Sequence, residues 1–415
     1  MNPKVKEWIH VLQEQSSEPL CAYIYDLEGL QKHVQGIIKA LPVSTSLFYA
    51  IKANPDPKMI QALLPLVRGF EVASIGELNK VREVSESVPI LFGGPGKKDD
   101  ELEMAIRKKV TYLHIESLLE LKKVIRLAKR EQQPTQVLLR MNLRTNTLPH
   151  TKITMGGRPS PFGMDEYLIE DALSLLKEKE NTHAHLCGFH FHSLSNNLQA
   201  ALHVEMIHYY LQKVDEWKKR YGLDIQVINA GGGFGVSYDD TPEFDWECFT
   251  SLLAQSEQVQ SLGNTQLFFE PGRFLVADYG YYVAEVIDLK LSQDQYFAII
   301  RGGTHHNRLP ASWGHNHPFC IVPQERWLYP FERPEITKKG VTIVGELCTP
   351  KDCLHSNALV ERLRVGDTLI FKKSGAYCWT ISHHDFLGHP HPKFYYITEG
   401  NHDEKSNDSF QILNG

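Results

Sequence analysis

The sequence has no excess of basic residues: 44 lysines and arginines stand against 50 acidic residues, a formal net charge of −6. A nucleic-acid binder shows the opposite balance, so that class is set aside. No apolar run reaches the roughly 18 residues of a membrane span. The first residues, MNPKVKEWIHVLQEQ, read as an amphipathic helix without a signal-type apolar stretch. There is no internal repeat and no low-complexity linker. Cysteine is sparse, seven residues without regular spacing, which points to reduced thiols in a cytoplasm rather than a disulfide framework. What remains is a 415-residue chain that is 42% apolar, enough for one large domain or two ordinary ones with a real core.

Short apolar runs are plentiful. LFYAI (47–51), GFEVA (69–73), PILFGG (89–94), VTYLHI (110–115), QVLLRM (136–141), LCGFHF (186–191), QVINA (226–230) and QLFFE (266–270) are apolar at successive positions, as parallel strands covered on both faces are. Helical stretches separate them. SLLELKKVIRLAKR opens with a capping box, Ser117 and Glu120, and its Leu118, Leu121, Val124, Ile125 and Ala128 share one face. NNLQAALHVEMIHYYLQKVDEWKKRYG reads as a second long helix stopped by Gly222. Eight strands alternating with helices over about 250 residues predict an α/β fold, a (β/α)8 TIM barrel. A doubly wound sheet would carry its glycine-rich turn after the first strand, whereas here the glycines follow the seventh. Beyond residue 280 the texture changes. YYVAEVIDLKL, YFAII, VTIVGEL and DTLIFKK are strands without amphipathic helices between them, and PLCAYIYD near the start joins them. The expected division is a barrel over 27–275 and a second, all-β domain from 1–26 plus 276–415, with a polar tail, NHDEKSNDSFQILNG.

Residues just past the carboxyl ends of barrel strands meet at one mouth, where active sites lie. Lys52, in FYAIKANP, stands there at the end of the first strand. Taken singly it reads as a lysine reaching the rim. The seventh strand ends in AGGGFG, with Gly231, Gly232, Gly233 and Gly235, and the eighth in EPGR, Glu270 to Arg273. Exposed backbone N–H groups and an arginine make a phosphate cradle. The bland reading of the glycines is a tight turn, and EPGR at the adjacent strand end argues against it. The sixth strand ends in HFHSLSNN; His190 and His192, two apart, point to the same side. They fit a metal site, an aromatic lid over a flat cofactor with Ser195 on a phosphate, or buried histidines of purely structural use. A lysine amine, a phosphate cradle, a flat ring and a carboxylate together describe a site for pyridoxal 5'-phosphate.

In order along the chain, YAIKANP, GFEVASIGEL, HFHSLS, GGGFG, EPGR, GELCTPKD and GAY resemble the barrel-type (fold type III) PLP-dependent decarboxylases, the group of the diaminopimelate, arginine and ornithine decarboxylases. The resemblance implies roles at the matching positions. Lys52 would anchor the cofactor aldehyde and His192 would stack on its ring. Ser195, Gly233, Gly272, Arg273 and Tyr377 would hold the phosphate, and Glu270 would pair with the pyridine nitrogen. Cys348 would arrive from a partner subunit and return a proton to the product, so the resemblance implies a homodimer with shared active sites, and Asp352 would lie at the same shared site.

The chain departs from the family pattern at several points. Leu194 stands where glycine is usual, Thr349 where an acid follows the cysteine, and Pro161 where a basic residue precedes FG. The segment TISHHDFLGHPHP replaces another family stretch. Within the family, GFHFHSLSNN, HNHPF, LCTPKD and SHHDFLGHPHP are most similar to the branch that serves siderophore assembly of the staphyloferrin B type. That branch implies a citryl–diaminopropionate substrate decarboxylated to a citryl–diaminoethane, with Arg158, His305, His306, Arg308, Thr349 and Asp352 around it. The alternative is a diaminopimelate decarboxylase of lysine biosynthesis. A racemase of the same broad fold, a metal-dependent hydrolase using His190 and His192, and a non-catalytic regulator stand further off. The histidines His383, His384, His389 and His391 match no familiar zinc spacing and have no cysteine pair beside them, so no metal is expected.

Overall fold

The computed structural model describes residues 2–144 and 159–398. It divides into two compact units. One comprises His33–Ser237 and Thr241–Leu275; the other joins the N-terminal segment through Lys32, Tyr238–Asp240 and the chain from Val276 onward.

The first unit is a parallel barrel. All eight runs read from the sequence are strands: Thr45–Ala50, Gly69–Val72, Ile90–Phe92, Tyr112–Ile115, Thr135–Asn142, Ala184–His190, Val227–Asn229 and Gln266–Phe269. The first strand pairs with both the second and the eighth, and pairing of Leu113 with Val137 and Ile115 with Leu139 closes the ring between the fourth and fifth. Side chains alternate along each strand, so the inward set recurs every second residue. Phe48, Leu91, Leu138, Cys187, Val227 and Phe268 form one buried apolar layer inside the barrel, with Tyr112 against it. The sixth strand reaches its neighbour only because position 188 is glycine: a Cβ there would lie 1.7 Å from the carbonyl oxygen of Val227.

Two helices differ from the sequence reading in instructive ways. Helix Leu118–Glu131 is capped by Ser117, whose Oγ accepts the Glu120 N–H at 3.1 Å. The return bond misses the capping residue: the Glu120 carboxylate accepts from the N–H of Glu116 instead, at 2.6 Å. The long helix starts at Ala200, not at Asn196, because the two asparagines are engaged elsewhere. Asn196 takes a left-handed φ of 49° and its Oδ1 accepts the Val236 N–H, while the Asn197 N–H donates to the carbonyl of Gly233. Gly222 ends this helix with a φ of 64°.

The second unit is built on an eight-stranded mixed sheet. Gly280–Ser292, Gln295–Ile300, Glu335–Val344 and Thr368–Phe371 correspond to the four expected strands. Cys21–Asp26 joins them, antiparallel to Gly280–Ser292 and parallel to Lys393–Ile397. Lys393–Ile397, Phe319–Val322 and Cys353–Arg364 are strands that the sequence reading did not identify. Helix Pro3–Gln15 lays Val5, Ile9 and Leu12, one helical face, onto Ile24, Val283 and Ile370. The expected loose tail, 401–415, lies outside the described residues.

Candidate active site

The barrel interior changes chemistry two residues above its apolar layer. Phe268 is followed by Glu270, Val227 by Asn229, Leu138 by Arg140 and Tyr112 by His114; on the sixth strand, whose register shifts, His190 stands three residues beyond Cys187. Glu71 on the second strand completes a buried polar ring. Lys52 lies above it in a single 3-10 turn, Ile51–Ala53, that follows the first strand. Its ammonium sits 3.0 Å from Glu71 Oε2, and its side chain is 43% accessible, so the amine is held yet reachable. Burial raises the Glu71 carboxyl above its usual range; the Lys52 charge opposes this and the Glu270 charge adds to it.

Glu270 is held by one side-chain hydrogen bond and flanked by a histidine. Asn229 Nδ2 donates to Oε1 at 2.7 Å, and His190 Nε2 lies 3.4 Å from Oε2. His114 stacks on His190 with ring centroids 4.1 Å apart. Burial pushes His114, His190 and His192 well below the ordinary imidazole value; the Arg140 and Lys52 charges depress His190 and His192 further. All three rings are therefore neutral at pH 7, and the Glu270 carboxylate lies beside His114 and His190. Arg140 is itself held by Glu116, at 2.8 Å, and Glu116 also accepts the N–H groups of Gly94 and Gly163.

The glycine-rich side of the site is made of backbone. Gly231 and Gly233 have φ of 73° and 90°, and a Cβ on either would strike a carbonyl oxygen at 2.4 Å, that of Phe191 or of Leu194. Two bonds zip this turn to the loop after the sixth strand: Asn197 N–H to Gly233 O and Gly235 N–H to Asn197 O, both 2.8 Å. That zip brings Ser195 beside Gly233. The N–H groups of Gly233 and Gly272 carry no protein hydrogen bond among the described residues. His192 Nδ1 accepts the Gly232 N–H at 3.2 Å, which fixes the ring plane. Arg273 is buried at the end of EPGR. Unpaired amide donors, a buried arginine, a fixed flat imidazole, a buried carboxylate and a reachable amine fit the phosphate, ring, pyridine nitrogen and aldehyde of pyridoxal phosphate.

The metal reading of His190 and His192 is not formed. The histidine, cysteine and carboxylate groups within reach of one ion among the described residues are His114, His190 and Glu270, not His192. Glu71, His114, Arg140 and Asn229 escaped the sequence reading. The signal was present, since each is polar at an inward position of an otherwise apolar strand.

In the second unit, Cys348 is exposed and Thr349 follows it, its N–H donating to Leu347 O at 2.9 Å. Asp352, expected at the shared site, is buried. It accepts from the Thr304 N–H at 2.6 Å, the Thr304 hydroxyl at 2.7 Å and the Leu347 N–H at 2.9 Å, so it clasps the Cys348 loop to the segment at Thr304. Glu346 pairs with Arg301 and accepts the Gly302 N–H at 3.0 Å. His305 and His306 are buried with ring centroids 3.8 Å apart. Burial pushes His305 down to about 4 and His306 to about 2, so they are neutral hydrogen-bonding groups and not cations at pH 7. His306 Nδ1 lies 3.4 Å from Cys21 Sγ. Arg308 is exposed, and its backbone N–H donates to Ser382 Oγ. Tyr377 takes a left-handed φ of 56°. Arg158 lies outside the described residues.

Comparison with known proteins agrees with this geometry. Residues 27–277 match the family described as pyridoxal-dependent decarboxylase, pyridoxal binding domain. The chain is 42% identical over 389 residues to a 2-[(L-alanin-3-ylcarbamoyl)methyl]-2-hydroxybutanedioate decarboxylase of Staphylococcus aureus, covering 94% of this chain and 96% of that protein. It is 32% identical to an L-glutamyl-[BtrI acyl-carrier protein] decarboxylase of Niallia circulans, covering 89% and 87%. Its fold superposes on the crystal structure of diaminopimelate decarboxylase from Helicobacter pylori complexed with L-lysine, with a TM-score of 0.80 at 23% identity over 94% of each chain.

Proposed function

Since the chain belongs to the pyridoxal-dependent decarboxylases and is a carboxy-lyase that uses pyridoxal phosphate, we propose that it decarboxylates a citryl–diaminopropionate conjugate to the citryl–diaminoethane in siderophore assembly. The observation that carries this reading is the 42% identity, sustained over 94% of the chain, to a relative named for decarboxylating an alanine joined through C3 and an amide to a hydroxybutanedioate. Thr349 agrees with it. An uncharged residue follows Cys348, where relatives that accept a free distal amine place an acid. In a citryl conjugate that amine is an amide and bears no charge.

The residues divide the work as follows. The Lys52 amine would hold the cofactor by its aldehyde. Ser195, Arg273, Tyr377 and the N–H groups of Gly233 and Gly272 would hold the phosphate, and His192 would cover the ring. Glu270 keeps a proton on the pyridine nitrogen. Bound in this way, the cofactor supplies an electron sink for the bond to the departing carboxylate. Cys348 then gives a proton to the α-carbon, which has lost CO2, so the product is the amine. Asp352 holds the loop that carries this thiol. His305, His306, Arg308 and Arg158 remain candidates for the citryl carboxylates, the two histidines as neutral donors.

We place the enzyme in the cytoplasm as a homodimer with shared sites. All seven cysteines are free thiols, and no helix among the described residues is long and apolar enough to cross a membrane. The shared site has a direct test. Lys52→Ala and Cys348→Ala, each inactive alone, are expected to recover part of the activity when mixed under subunit exchange, because one heterodimer site then holds both Lys52 and the partner subunit's Cys348. No recovery with exchange demonstrated would mean that each site is built from a single chain.

Substrate choice is tested by kcat/KM for the citryl conjugate against diaminopimelate, with products identified by mass spectrometry. Burying a charged distal group without its partner costs roughly 1–3 kcal/mol, so a preference of about tenfold to a hundredfold for the conjugate is expected. A preference for diaminopimelate would instead assign the enzyme to lysine biosynthesis.

A further inference from the structure

One side chain spans the two halves of the cofactor site. Asn229 ends the seventh barrel strand and is wholly buried. Its Oδ1 accepts the N–H of Gly231 at 2.9 Å, and its Nδ2 donates to Glu270 Oε1 at 2.7 Å. The Glu270 N–H in turn donates to the carbonyl of Gly231 at 2.8 Å, so Asn229, Gly231 and Glu270 close a ring of hydrogen bonds. The neighbours fix which way the amide points. Its oxygen faces an N–H and its NH2 faces a carboxylate, and the flipped orientation would set like against like at both ends. The other polar group on the NH2 is His114 Nε2, at 3.4 Å. The turn has little room to change, because Gly231 takes a φ of 73° and the Phe191 carbonyl oxygen and the His192 ring fill the space that a Cβ would need.

We propose that Asn229 is a positioning residue that couples the phosphate cradle to the carboxylate at the pyridine end of the cofactor. Its oxygen holds the glycine turn that presents amide donors to the phosphate. Its NH2 fixes the direction of the Glu270 carboxylate, leaving Oε2 on the side of His190. An amide is required for this pairing of tasks. Aspartate keeps the acceptor and loses the donor, and an apolar residue loses both. The inference rests on the assignment of the barrel site to pyridoxal phosphate and is independent of which amino-acid conjugate is decarboxylated.

The test uses apoenzyme titrated with pyridoxal phosphate, read by protein fluorescence and by the gain in Tm, beside kcat of the reconstituted enzyme. Titration of the unaltered protein checks the cofactor assignment separately. In Asn229→Ala, cofactor affinity and kcat are each expected to fall by about tenfold, the ordinary cost of one buried charge-assisted or backbone bond. In Asn229→Asp, affinity should stay within about threefold because the Gly231 bond survives, while kcat falls. Combined with Glu270→Gln, Asn229→Ala should lower affinity again but leave kcat unchanged, since residues acting through one group are not additive. An equal loss of kcat in both backgrounds, or unchanged cofactor affinity in Asn229→Ala, overturns the proposal. Should the alanine variant fail to fold, Asn229→Asp in the two backgrounds decides the kcat arm. Its own affinity decides the other, because a loss as large as that of kcat would remove the division of tasks.

Discussion

Lys52→Ala is expected to abolish turnover, and Lys52→Arg to abolish it equally. The arginine variant separates charge from chemistry. Lys52 Nζ lies 3.0 Å from Glu71 Oε2, so a guanidinium can still satisfy the buried carboxylate, but it cannot condense with an aldehyde. Stability should therefore survive in Lys52→Arg, whereas Lys52→Ala leaves Glu71 buried without its counter-charge. Both variants should lose the yellow colour that the bound cofactor gives the native protein. Borohydride treatment of the native enzyme should fix the cofactor on the peptide that contains Lys52, as read by mass spectrometry. Near-normal activity in either variant would remove Lys52 from the anchoring role.

Glu270→Gln is expected to bind the cofactor and to decarboxylate slowly. The phosphate cradle proposed at Gly233, Gly272 and Arg273 does not involve the Glu270 side chain, so affinity should persist. The amide that replaces the carboxylate can still accept from Asn229, but it cannot hold a proton on the pyridine nitrogen. Removing one preorganised charge from a site of developing charge costs on the order of 10²-fold in rate. His190 cannot take over, because burial keeps its ring neutral at pH 7. Single-turnover rates measured at saturating cofactor check this, and an unchanged rate would mean that another group protonates the ring.

Much of the site could be read from strand ends. Lys52, His192, Gly233, Glu270 and Arg273 each lie at the carboxyl end of a strand whose apolar run marks it plainly, and the barrel reading alone sends such ends to one mouth. Less legible were residues within the strands. Glu71 sits in the middle of GFEVA and His114 in VTYLHI, and a periodicity that only counts apolar positions passes over them. Of the three missed strands of the second unit, CLHSNALVERLR has polar residues that break the alternation, whereas FCIV and KFYYI are apolar runs of only four or five residues. The resemblance gave Asp352 a place at the shared site, and the letters alone did not show that its carboxylate also accepts from Thr304 and Leu347.

The sequence by itself determined the kinds of elements and their order, the barrel with its strand-end chemistry, and the change of texture after residue 280, because these depend on local period and on residue type. Tertiary structure alone decided which side chains meet. Glu270 is adjacent to Asn229, His190 and His114 only because closing the barrel brings four strands around one axis, residues from 114 to 270. It also decided charge. Nothing in the letters HH tells whether His305 and His306 are cations at a surface or neutral rings in a core, and burial settles that they are neutral. Alternation fixes which face a residue takes, but what lies across that face depends on the register of strands distant in sequence, which is a long-range property of the folded chain.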